Sequence, residues 1–147
     1  MGGTKVHEFM TERPRCVTPE TPVSEAAALM ASEDVGSLPI LEGERLAGVV
    51  TDRDIVVRGI AEGKDPRGMP VREIATRDPV SVSPEQSLDE ALQLMASHQV
   101  RRLPVVDEND RLVGVLAQAD VATKTGKEKA VGEMLEGISQ TPTGPRI

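Results

Sequence analysis

Sliding the 147-residue chain against itself by 65 positions brings identical residues into register along most of its length, and this duplication restricts the possible folds more than any other feature. Pro14 meets Pro79, Val17 meets Val82, and Pro19-Glu20 meets Pro84-Glu85. Glu25-Ala26 falls on Glu90-Ala91, Leu29-Met30-Ala31-Ser32 on Leu94-Met95-Ala96-Ser97, Val35 on Val100, and Leu38-Pro39 on Leu103-Pro104. One inserted residue raises the offset to 66, after which Arg45-Leu46, Gly48-Val49 and Asp54 match Arg111-Leu112, Gly114-Val115 and Asp120. Two copies are too few for a solenoid, so the expected arrangement is two similar halves about a pseudo-two-fold axis, with a cleft and two related sites between them. A half of roughly 60 residues is marginal alone on surface-to-volume grounds, so each is expected to depend on the other.

Each copy opens with a short apolar stretch, Cys16-Val17 or Val80-Ser81-Val82, closed by Thr18-Pro19 or Ser83-Pro84, because proline disfavours helix at the residue before it. Val23, Ala26, Ala27 and Met30, and likewise Leu88, Ala91, Leu92 and Met95, follow the i, i+3, i+4, i+7 spacing of one helical face. Thr21 before Pro22 predicts an N-cap with proline at the first helical position, and Ser87 with Glu90 predicts a capping box. The helices run out near Asp34-Val35-Gly36 and His98-Gln99-Val100. Then come two hairpin signals, Leu38–Leu41 with Leu46–Val50 and Leu103–Val106 with Leu112–Leu116, whose internal prolines predict edge or end positions.

A further helix starts at Thr51-Asp52-Arg53-Asp54, or at Gln118-Ala119-Asp120, so each copy reads βαββα and the fold class is α/β (α+β). The copies are expected over 5–62 and 74–123, joined by a linker, 63–73, rich in Gly, Pro and charge. Val71–Ala75 predicts a short helix entering the second copy, mirroring Val6–Met10 before the first. A C-terminal helix over 124–138 and a disordered tail over 139–147 complete the expected layout.

Composition excludes several functions. The net charge is -7, Trp and Tyr are absent, and Phe9 is the only aromatic residue, so the basic face and stacking platforms that serve polymeric nucleic acid are missing. No apolar run is long enough to span a bilayer and no signal-peptide pattern is present, so a cytoplasmic protein with no membrane partner is expected. Cys16 cannot pair within the chain and reads as a small buried hydrophobe; with His7 and His98 it matches no zinc spacing, although acidic residues could complete a site. No metal is expected. No catalytic residue is expected either, since no nucleophile stands beside a base in a recognisable motif.

The segment Gly48-Val49-Val50-Thr51-Asp52-Arg53-Asp54 carries the candidate chemistry. A glycine near a strand end admits a close approach to the backbone, and the N–H groups at a helix start suit phosphate, while Asp54 could accept both hydroxyls of a ribose. The same residues also read as a capping box, Thr51 with Asp54, that merely starts the helix. The second copy has Ala117 where the first has Thr51, so the helix there manages without that cap. Arg101-Arg102 opens the second hairpin where the first copy has Gly36-Ser37. Arginine can hold phosphate oxygens in pairs; the competing reading is a solvated arginine pair on a strand edge. A two-fold relation would bring Arg101 and Arg102 to face Thr51 and Asp54, giving one competent anion site and one degenerate site.

On these residues the chain resembles the tandem CBS-domain (Bateman) module, and in particular small stand-alone bacterial CBS-pair proteins, over about residues 5–123. The most specific segments are Gly48 to Asp54, Thr51 to Val56, and His98-Gln99-Val100-Arg101-Arg102-Leu103-Pro104-Val105. The resemblance implies a regulatory role, dimerisation through helices, and a cleft that binds an adenine nucleotide (AMP, ADP or ATP) or S-adenosylmethionine. It implies Val49 beside the base, Thr51 on phosphate, Arg53 lining the pocket and Asp54 on the ribose; from the other copy, Val80 would help hold the base and Arg101 and Arg102 would contact phosphate. Ala117 departs from the Ser or Thr of the family pattern, which weakens the site near Asp120. The expected protein is a homodimeric, non-enzymatic sensor acting on a separate, unidentified protein partner. The competing expectation is a ligand-free interaction module that works through its dimer face or C-terminal helix.

Overall fold

A computed structural model describes residues 3–125; the helix expected over 124–138, past its first two residues, and the tail over 139–147 lie outside them. The chain forms two compact units. One is continuous, Arg15–Pro79; in the other, the N-terminal segment up to Pro14 joins the chain from Val80 onward.

The continuous unit contains α1 (Val23–Glu33), β1 (Ser37–Glu42), β2 (Arg45–Thr51) and a helical segment, α2, with an α turn at Asp52–Asp54, a wider π turn at Ile55–Gly59 and a 3-10 turn at Ile60–Glu62. β1 and β2 form an antiparallel hairpin running from Ser37↔Thr51 to Glu42↔Arg45, with an irregularity after Ile40. The short strand expected at Cys16-Val17 is a single parallel bridge, in which the Val17 N–H donates to the Pro39 carbonyl (3.0 Å) and the Val17 carbonyl accepts from Leu41 N–H (2.8 Å). Pro39 therefore sits inside β1 and not at its end. It is tolerated because residue 39 faces away from β2 and offers Val17 only its carbonyl.

The other unit repeats this plan with α3 (Leu88–His98), β3 (Arg102–Val106), β4 (Leu112–Ala117) and α4 (Gln118–Thr125). Arg102 pairs with Ala117 at the open end of the hairpin, and Val82 bridges to Val105 as Val17 does to Ile40. The α1 face expected from sequence buries Val23, Ala26 and Met30 against Leu38, Ile40 and Val50. The α3 face buries Leu88, Ala91 and Met95 against Leu103, Val105 and Leu116.

The lead-in segments join opposite copies. Val71–Glu73, a 3-10 turn expected to enter the second copy, packs Val71 and Ile74 into the core of the first. Val6–Glu8, also a 3-10 turn, buries Val6 in the core of the second. Each lead-in then adds one residue to the hairpin it reaches: Thr76 exchanges both backbone bonds with Val49 (2.9 and 3.0 Å), and Thr11 does so with Val115 (2.8 and 2.9 Å). This explains the glycines near the strand ends. A Cβ on Gly48 would lie 2.8 Å from the Thr76 carbonyl oxygen, and one on Gly114 would lie 2.8 Å from both the Thr11 oxygen and the Met10 sulfur. The close approach at Gly48 is thus made by the chain itself.

Three local details differ from or refine the sequence reading. Pro22 is the N-cap of α1, and the Thr21 hydroxyl instead accepts the Thr18 N–H at 3.0 Å, closing the preceding turn. At α3 the Ser87 hydroxyl accepts the Glu90 N–H (3.1 Å), and only this half of the expected box forms. Asp34 and Gln99 end the two helices in the left-handed region, with φ of 56° and 55°. Positive φ recurs at Arg13 (56°) and Asp78 (51°), each before the proline where the chain leaves one unit, a conformation that costs a non-glycine residue about 1 kcal/mol. No helix among the described residues is long and apolar enough to cross a membrane.

Candidate functional site

The end of β2 and the start of α2 assemble around Asp54, which is buried at 7 % exposure. Thr51 and Asp54 do form the capping box: the Thr51 hydroxyl accepts the Asp54 N–H and Asp54 Oδ2 accepts the Thr51 N–H, both at 3.0 Å. Oδ2 also accepts the Thr76 hydroxyl at 3.4 Å. Oδ1 accepts no hydrogen bond among the described residues and lies 3.9 Å from Arg58 Nε. The helix start is less open than its sequence suggests, because the Asp52 N–H already donates to the Gly36 carbonyl (2.9 Å) and the Asp54 N–H is taken by Thr51. Asp54 Oδ1 keeps spare lone pairs among the described residues.

Of the residues singled out in sequence, Val49, Thr51, Arg53 and Asp54 lie in the continuous unit; Val80, Arg101 and Arg102 lie in the other. Val49 is half-buried in β2 and faces Thr76 through its backbone, and Arg53 is exposed. Val80 packs on the core containing Val82 and Leu103. Arg101 and Arg102 are half-buried at the mouth of the β3–β4 hairpin, where the Arg101 carbonyl accepts the Gln118 N–H at 3.1 Å, as Gly36 does for Asp52.

The second copy repeats part of the Asp54 cluster. Asp120 Oδ2 accepts the Thr11 hydroxyl at 2.9 Å, matching the Thr76 bond to Asp54. Ala117 is buried where Thr51 stands in the first copy, and the neighbouring Gln118 Oε1 is buried with no hydrogen-bond partner among the described residues. Thr76 and Arg58 were not singled out by any motif. The signal for Thr76 was present, since Thr11 and Thr76 stand 65 apart on the repeat offset. Arg58 shows only as the i+4 partner of Asp54.

Cys16 is half-buried, and burial raises its thiol above the ordinary cysteine range. His7 and His98 are exposed. Among the described residues no three His, Cys, Asp or Glu side chains gather as a metal site would require.

Each of the two mixed helix-strand units carries an aspartate one turn into the helix after its hairpin, Asp54 buried and Asp120 half-buried. The CBS-domain family model matches residues 6–59 and 71–125, and the chain belongs to that family with two copies of the domain. It is 42% identical over 136 residues to CBS domain-containing protein YhcV of Bacillus subtilis, covering 92% of this chain and 96% of the relative. A crystal structure of Hypoxic Response Protein I with two coordinated zinc ions, a protein of Mycobacterium tuberculosis, is similar with a TM-score of 0.75 at 39% identity, covering 82% of this chain and 98% of that one. CBSX2 from Arabidopsis thaliana, in complex with AMP, is similar with a TM-score of 0.75 at 31% identity, covering 86% and 99%.

Proposed function

We propose that the protein is a non-enzymatic regulatory module that binds one adenosyl ligand per chain and passes ligand state to a separate protein. The observation that carries this reading is the Asp54 carboxylate, buried and fixed through Oδ2 yet with Oδ1 free of hydrogen bonds among the described residues, as a ribose acceptor should be. The adenosyl class is supported by the AMP held by CBSX2, a relative of nearly the same length. In this reading Asp54 accepts the ribose hydroxyls, Thr51 and Arg53 border the phosphate, Val49 and Val80 flank the base, and Arg101 and Arg102 neutralise the phosphate. The second copy, with Ala117 for Thr51, is the weaker site.

Calorimetric titration with adenosine, AMP, ATP and S-adenosylmethionine tests it. Arg101→Ala and Arg102→Ala should each weaken AMP by about tenfold, as expected for a lost charge-assisted bond, and barely change adenosine. Equal losses for adenosine and AMP would remove the phosphate role of the arginines.

A second reading, a ligand-free interaction module, draws on the exposed apolar stripe of α2: Val56 (56 %), Val57 (44 %) and Ile60 (57 %). Both readings expect a homodimer, and we propose that its contact uses that stripe. Sedimentation should find a dimer for the wild type and a monomer for Val56→Glu with Ile60→Glu; an unchanged mass in the double variant would place the contact elsewhere. Flat titrations with all four ligands would favour the second reading over the first.

A further inference from the structure

We infer that Arg58 is a positioning residue for Asp54, and that through it ligand binding is transmitted to the backbone at 74–76; this rests on the adenosyl reading above and deepens it. The two oxygens of Asp54 have different roles. Oδ2 is committed to the Thr51 N–H (3.0 Å) and the Thr76 hydroxyl (3.4 Å), while Oδ1 accepts no hydrogen bond among the described residues and pairs with the Arg58 guanidinium, with Nε 3.9 Å away. The same guanidinium donates from Nη1 to the carbonyls of Ile74 and Ala75, both at 3.3 Å. One planar group therefore touches the free ligand-binding oxygen on one side and two consecutive carbonyls of the lead-in on the other.

Thr76 closes the circuit. Its hydroxyl reaches Oδ2 while its backbone pairs with Val49, so residues 74–76 are bonded to both the carboxylate and the strand that precedes it. Arginine suits this place because its fork is rigid: Nε cannot shift relative to Oδ1 without moving Nη1 against the carbonyls. A ribose hydroxyl donating to Oδ1 competes with Arg58 for that oxygen, and the displacement is passed to Ile74 and Ala75. Thr76 stands four residues before Val80, where the chain enters the other unit. The matching position in the second copy is Lys124, which has no fork, so the device belongs to the first copy alone.

The test pairs AMP titration with hydrogen exchange of the Ala75 and Thr76 amides, with and without AMP, in the wild type, Arg58→Lys and Arg58→Ala. The wild type should bind AMP and change exchange at both amides. Arg58→Ala should weaken AMP roughly three- to tenfold, a modest loss because the guanidinium is half-exposed, and should abolish the exchange response. Arg58→Lys should restore affinity to within about twofold, since the charge near Oδ1 returns, but not the response, since the fork does not. A merely structural arginine would instead make affinity and melting temperature fall together in both variants. Should the wild type bind AMP and Arg58→Ala bind it equally well, or should Arg58→Lys keep the full exchange response, the inference falls alone. Should the wild type bind none of the four adenosyl ligands, the adenosyl reading falls and takes the inference with it.

Discussion

Gly48→Ala should destabilise the protein by about 2–3 kcal/mol, as overpacking against backbone does. The added Cβ would stand 2.8 Å from the Thr76 carbonyl oxygen, and that carbonyl cannot retreat without breaking its bond from the Val49 N–H (3.0 Å). Thr76 would also be pushed from Asp54, so the variant should weaken AMP as well. Gly114→Ala should behave alike, with part of its clash relieved by movement of the flexible Met10 side chain. Gly68, with nothing within 4 Å of its would-be Cβ, supplies the control: Gly68→Ala should stay within about 0.5 kcal/mol of the wild type. Urea unfolding of the three variants reads this directly. A Gly48→Ala protein as stable as the Gly68→Ala protein would mean that the lead-in does not lie against β2.

Asp54→Ala should lower AMP affinity by at least a hundredfold, because two hydroxyl bonds to a charged acceptor are worth about 1.5–3 kcal/mol each and the variant removes both, about 3–6 kcal/mol together. It also removes half of the capping box and the acceptor of Thr76, at a stability cost of about 1 kcal/mol, so the titration belongs well below the melting temperature. Asp120→Ala, at the matching place in the copy that has Ala117, should leave AMP affinity within about twofold while costing similar stability through loss of the Thr11 bond. The contrast between the two aspartates separates ligand binding from the threonine bond that both carboxylates accept. Equal affinity in Asp54→Ala and the wild type would remove the site assignment.

The repeat made most of the architecture legible. Two helical faces at i, i+3, i+4, i+7 and two proline-bearing hairpins appear where their patterning put them, because local periodicity and turn chemistry act over a few residues. The lead-ins were not legible. Val6 and Val71 occupy equivalent positions and carry the same apolar side chain, so either fits either core, and only the tertiary structure sends each to the copy that it does not precede. The glycines illustrate the same limit: sequence marks a place where something comes close, but not whether a ligand or the chain itself does so. At the candidate site, Thr51 and Asp54 stood out because a capping motif and a ligand motif share the same letters, and both readings start from the same geometry. Arg58 and Thr76 escaped notice because their roles depend on a carboxylate oxygen and two carbonyls brought together by folding.

A crystal structure of the protein grown with AMP bears most directly on the central proposal, that one nucleotide is held by residues of both copies. It should show the ribose hydroxyls within hydrogen-bond reach of Asp54 Oδ1 and the phosphate on the guanidinium groups of Arg101 and Arg102. AMP seated away from Asp54, or an AMP-bound chain in which the carboxylate and the two guanidinium groups do not reach the same nucleotide, would contradict the account.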